Sequence, residues 1–143
     1  MKKIILIVGI TGLLSGVLRP WTRDNATGIV SSNDRGLEWQ DNNLSIRMTW
    51  KEAIDACESL DIGGYTDWRL PNLNELTTLV EDDKINPAIN DVFQNTHLDR
   101  YWSSTTYINT TDRAWSVYFD SGVQSYGTKN NSYYVRCVRD LIP

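Results

Sequence analysis

The chain carries two cysteines and no more, Cys57 and Cys137, eighty positions apart. Cys137 lies in "SYYVRCVRD", residues 132–140, where bulky and β-branched residues alternate in the manner of a strand. Cys57 lies in "TWKEAIDACESL". There Thr49 and Glu52 have the spacing of a capping box, hydroxyl to amide and carboxylate back to amide. Trp50, Ala53, Ile54, Cys57 and Leu60 follow at helical spacing, so Cys57 belongs to the buried stripe of a helix. In an oxidising compartment two such cysteines pair. A free or catalytic thiol is the alternative. The pair would bolt an early helix to a late strand, and closing so long a loop is worth about 4–5 kcal/mol in the chain-entropy view.

The start of the chain supplies the compartment. "MKK" precedes "IILIVGITGLLSGVL", 15 mostly apolar residues. As a helix that run spans ~22 Å, short of a bilayer core of about 30 Å. Residues 1–18 are therefore expected to be a secretory signal peptide. An uncleaved N-terminal anchor, the only membrane contact envisaged, is the alternative. "LLSG" resembles a lipoprotein signal, but Val17 stands where the lipidated cysteine would be. Residues 19–143 are long enough for a single domain. Without Lys2 and Lys3, 12 basic residues face 18 acidic ones, a net charge of −6. Such a field does not steer the chain toward nucleic acid or anionic membranes. Arg136 and Arg139 are near each other, but a spacing of three sends them to opposite faces of a strand.

After the apolar run the pattern changes character once. "RPWTRDNAT" is an extended lead-in, and "GIV" and "GLEWQD" are two short strands around the turn "SSNDR". "DNNLSIRM" is a loop before the first helix, which "GG" at 63–64 closes. Trp68 and Leu70 flank Arg69 in a short extended piece stopped by Pro71. Asn72 caps a second helix, with Glu75 three residues on and Leu73, Leu76, Leu79 and Val80 on its apolar side. "EDDKINPAINDVFQNT" is a polar connection with one helical turn expected at 88–93. After residue 100, "YWSSTTY", "AWSVYFD", "VQSYG" and "YYVRCVR" predict a meander of antiparallel strands. In the second of them Trp115, Val117 and Phe119 should face the core, and Ser116, Tyr118 and Asp120 the solvent. The class is α+β, with two helices packed on a mainly antiparallel sheet.

The helix-to-last-strand cysteines, the two helices and the aromatic second half together resemble the C-type lectin-like fold. The segments "TGIVSSNDRGLEWQD", "TWKEAIDACESLDIGGYTDWRLPNLNEL", "YWSSTTY", "AWSVYF" and "YYVRCVR" are similar to the family named for the C-terminal domain of the Legionella collagen-like adhesin, across roughly residues 24–140. The resemblance implies an exported bacterial protein, secreted, periplasmic or at the cell surface. Some relatives act in adhesion, and the namesake domain is associated with sulfated polysaccharides. The wider fold group includes formylglycine-generating enzymes and ligand-binding tips of retroelement proteins. This chain has no collagen-like repeat, and its acidity opposes polyanion binding.

Candidate sites compete with plainer explanations. Trp39, Trp50, Trp68, Trp102 and Trp115 could stack on sugars, but all fall at core-facing positions of predicted elements; Trp21 is unassigned. Asp67 and Arg69 are expected to fix the backbone before the second helix through hydrogen bonds or ion pairs. "EDDKIN" and "NTTDR" offer oxygens of the kind calcium takes. The Glu-Pro-Asn or Gln-Pro-Asp and the Trp-Asn-Asp of sugar-binding lectins are absent, so no cofactor is expected, calcium being the one considered. His97 is the only histidine. It has no second histidine for a relay or zinc site, both cysteines are committed, and no phosphate loop is present; an enzyme is not expected. A ligand surface is expected instead on Tyr107, Asn109, Asp112, Arg113, Tyr118, Tyr126, Asn130 and Tyr133, residue types that order cheaply and can both stack and hydrogen-bond. The expected role is an adhesin- or lectin-like domain that binds a glycan or a protein. A structural subunit that assembles into a homo-oligomer or envelope complex is the alternative.

Overall fold

The computed structural model describes residues 21–42 and 46–142. The expected signal peptide or anchor lies outside the described residues, as does part of the loop at 41–48. Seven strands and two helices are described: β1 (Trp21–Asp24), β2 (Ile29–Ser32), β3 (Leu37–Gln40), α1 (Trp50–Glu58), α2 (Leu73–Thr77), β4 (Arg100–Thr106), β5 (Arg113–Tyr118), β6 (Gln124–Thr128) and β7 (Val138–Asp140). They form an antiparallel four-stranded sheet, β1-β2-β3-β7, and an antiparallel three-stranded sheet, β4-β5-β6. The α+β class is therefore observed.

Both helices start where their caps dictate. Thr49 and Glu52 form the reciprocal box at α1, and Asn72 and Glu75 do so at α2. Each box satisfies two backbone amides that the first turn leaves unpaired. Helix α1 buries Ala53 and Cys57, and α2 buries Leu76. The Cys57–Cys137 disulfide is present, with the Cα atoms 5.4 Å apart. Cys137 directly precedes β7, and its carbonyl accepts from the Gln40 amide at 2.9 Å. The staple thus joins α1 to the strand that closes the four-stranded sheet.

Several expectations need correction. The lead-in is a strand: β1 pairs with β2 from Trp21↔Ser32 to Asp24↔Ile29, and Trp21 packs edge-on against Phe93 at 5.3 Å. The meander has three strands instead of four. "YYVRCVR" divides its pairing, because Tyr133 bridges to Met48, Tyr134 bridges to Tyr101, and only Val138–Asp140 extend a ladder, beside β3. Of residues 88–93 only Asn90–Phe93 close a turn, the Phe93 amide donating to the Asn90 carbonyl at 3.0 Å; Ile89 before it bridges to Val80, and Ala88, Ile89 and Phe93 are buried. That segment meets the chain just after β5: the Ala88 amide donates to the Phe119 carbonyl at 2.9 Å. Bridging takes the first half of the segment, and the turn is confined to the second.

Two apolar cores result. One gathers Val30, Trp39, Leu76, Leu79, Tyr101, Val117 and Phe119. The other gathers Ala53, Trp68, Trp102, Ala114, Tyr133 and the disulfide. Strand β5 stands between them and feeds both: Val117, with Phe119 just after the strand, enters the first core, and Ala114 the second. Its alternation is therefore not core against water, and Ser116 is fully buried.

Buried charge holds the four-stranded sheet. Asp41, at the end of β3, pairs with Arg23 of β1 and, at 2.7 Å, with Arg136. The same carboxylate accepts from the amide of Gln94 at 2.7 Å. Arg139 pairs with Glu38, and with Asp67 at 2.7 Å. Its hydrogen bond holds the Asp67 carboxyl below the ordinary carboxylate range. Arg69 takes Glu75 with both ends of its fork, each contact 2.7 Å. Burial pushes the Glu75 carboxyl up, but the Arg69 hydrogen bond, the Asn72 amide and the Arg69 charge outweigh it and hold it low. Asp67 and Arg69 thus fix the backbone as expected, through Arg139 and Glu75 instead of each other. Arg136 and Arg139 are both buried parts of this network.

Candidate functional site: an aromatic ledge on the three-stranded sheet

The β4–β5 connection places the first member. The Tyr107 amide donates to the Arg113 carbonyl at 2.8 Å, and a tight turn between them leaves Ile108, Asn109, Thr110, Thr111 and Asp112 exposed. The β5–β6 ladder places the others, because Trp115 and Tyr126 are register partners on one side of the sheet. Cross-strand aromatic pairs of this kind stabilise a sheet and present a ring to solvent. Tyr107 stacks on Tyr126, with centroids 4.1 Å apart and planes 12° from parallel. Trp115 meets both edge-on, at 5.4 and 5.5 Å. Tyr126 is 39% exposed, and Tyr107 and Trp115 are half-buried.

Polar groups frame the three rings. Asn109 Nδ2 donates to Tyr107 Oη at 3.0 Å, and the exposed Arg113 guanidinium lies 5.7 Å over the Tyr126 ring. The arrangement offers a stacking surface with an amide and a cation at its rim, the composition that suits a sugar or a peptide side chain.

Of the eight residues expected to bind, Tyr107, Asn109, Arg113 and Tyr126 come together here. Asp112 is exposed at the turn, with its carbonyl accepting from the Lys129 amide at 2.8 Å. Asn130 is exposed in the turn after β6. Tyr118 points to the opposite side of the sheet, beneath Arg100. Tyr133 is not on a surface: it is buried against Trp102, 4.2 Å between centroids, and packs over Gly127. Only a glycine fits there, since a Cβ on Gly127 would collide with the Tyr133 ring.

Of the tryptophans expected in the core, Trp39, Trp68 and Trp102 are fully buried. Trp50 and Trp115 are half-buried. Trp50 carries Lys129 Nζ 3.8 Å over its ring and donates to the Ser103 carbonyl at 2.9 Å. Alternation with Val117 and Phe119 predicts Trp115 in the core; it shares their side of β5, but its ring neighbours there are Tyr107 and Tyr126. His97 stacks on Tyr134 at 4.0 Å. Among the described residues, no three His, Cys, Asp or Glu side chains converge as metal ligands, and no helix is long and apolar enough to cross a membrane.

The architecture defines an α+β domain, two sheets and two short helices, stapled by a helix-to-strand disulfide. The chain belongs to the Lcl C-terminal domain family, whose family model matches residues 28–139. No curated protein matches it.

Proposed function

We propose that this is an exported bacterial domain of the C-type lectin-like type that binds a ligand, glycan or protein, without transforming it. The aromatic ledge of Tyr107, Trp115 and Tyr126 is the observation that carries the reading: aromatic area left in contact with water beside a fully packed core, with Asn109 and Arg113 at its rim. A sugar ring stacked there would cover apolar surface that the fold leaves open. The C-type lectin-like assignment is supported by the disulfide from α1 to the closing strand and by the order of helices and strands. Export is supported by the disulfide, which oxidising compartments favour.

A glycan array probed with the exported protein and with Trp115→Ala is the test. Capture of a defined glycan family that W115A loses is the expected result. Silence across the array, together with an oligomer that grows with concentration, would instead favour an assembly subunit, for which Ile108, 90% exposed beside the ledge, is the natural contact.

A further inference from the structure

Cations divide between the two sheets. Among the described residues, Arg23, Arg69, Arg136 and Arg139 around the four-stranded sheet each reach a carboxylate. Arg100, Arg113 and Lys129 of the three-stranded sheet pair with none and lie over aromatic rings instead. Arg113 is exposed, so water solvates it. Lys129 Nζ donates to Thr106 Oγ1 at 3.0 Å.

Arg100 is the unusual one. Its side chain is partly withdrawn from water on the side of the sheet opposite the ledge. The guanidinium carbon lies 4.1 Å over Tyr133 and 5.1 Å over Tyr118. Nε and Nη2 donate to Ser116 Oγ at 3.2 and 3.0 Å, and Nη2 reaches Ser125 Oγ at a long 3.4 Å. Nη1 has no partner among the described residues. The cation is therefore held in one orientation by two rings and two hydroxyls, with its outer end unused and no counter-charge. Withdrawing a charge from water without a counter-ion is unfavourable, and an anion supplied from outside would relieve that.

We propose that Arg100 is the anchor of a second binding site, for a singly charged carboxylate on a small ligand. A planar guanidinium with a free end matches a carboxylate in its own plane. A lone cation balances one negative charge, and the acidic chain as a whole disfavours ligands of higher charge. The carboxylate enters at Nη1 and Nη2, Ser125 Oγ turns from weak acceptor to donor, and the Tyr118 ring flanks the ligand's body. Both a sugar acid and an amino-acid carboxylate have this chemistry.

The test is titration of the exported protein with glucuronate, N-acetylglycine and inorganic sulfate, followed by amide NMR. Saturable shifts at Ser116 and Ser125 with either carboxylate, at lower concentration than with sulfate, are expected. Response to glucuronate alone assigns a sugar source, and response to N-acetylglycine alone an amino-acid source. Arg100→Lys keeps the charge and loses the fork, so it should weaken the carboxylate about tenfold; Ser125→Ala, a milder change, should weaken it a few-fold. Sulfate binding equally well, or R100K binding like the parent, overturns the proposal, as does silence from both carboxylates. A glycan held at the ledge by R100K protein would leave the ledge reading intact while this one fell, so the two can fail separately.

Discussion

The two sheets handle charge in opposite ways. In the four-stranded sheet Asp41, Glu38, Arg136 and Arg139 are all buried, and each is paired. In the three-stranded sheet the cations have only rings and hydroxyls. A buried ion pair adds little net stability over an apolar substitute, but losing one partner is costly. The first sheet is consequently intolerant of single changes, while the second keeps interaction capacity for something outside the chain. Aromatic burial follows strand position instead: Trp39 of β3 and Trp102 of β4 are both sealed, and the open ring, Tyr126, lies on β6.

Several measurements would break or sharpen this contrast. Cys57→Ser with Cys137→Ser should have the largest effect, lowering stability by about 4–5 kcal/mol in urea unfolding; a loss below 1 kcal/mol would mean the staple spans regions already fixed by packing. Arg136→Met should cost about 3 kcal/mol, because Asp41 keeps Arg23 but loses its deepest partner. Tyr126→Ala should cost only about 1 kcal/mol, the worth of one stacked pair, while abolishing capture by the ledge. The smallest effect is a pH dependence. Asp67 and Glu75 are held below their ordinary values in the folded protein. Their contribution is therefore complete above the unfolded value, about pH 4, and is lost as pH falls through the lowered folded one. Glu75→Gln should flatten that acid limb and leave the slope near neutrality unchanged. An unaltered acid limb would assign it to other carboxylates.

Local chemistry was legible in the sequence, and long-range pairing was not. Both capping boxes depend on residues three apart, and both are found where Thr49 and Asn72 place them. The buried stripe of α1, Cys57 included, needs only the helical period. Nothing local says that Val138 pairs with Trp39 while Tyr134 bridges to Tyr101, so the pattern predicts a fourth meander strand where the chain crosses to the other sheet. Four of the expected binding residues meet at the ledge: turn composition exposes Asn109 beside Tyr107, and strand alternation puts Arg113 and Tyr126 on one side of the sheet. Tyr133 was misplaced because its alternation resembles that of a solvent-facing strand residue, whereas Gly127 opens a slot for it. Arg100 had no signal at all: a missing carboxylate partner is visible only in three dimensions.

The ladder between β3 and β7 joins Trp39 to Val138, nearly a hundred positions further on. A chain emerging from its amino end therefore holds β3 with one border bare for most of its synthesis or export. Such a border invites a neighbour's strand. At that rim Glu38 stays unmatched until Arg139 arrives, whereas Asp41 already has Arg23 of β1 and gains Arg136 only at the end. An unmatched carboxylate facing its like across a bare border disfavours pairing between newly made copies, and the arginine that neutralises it travels on the segment that closes the gap.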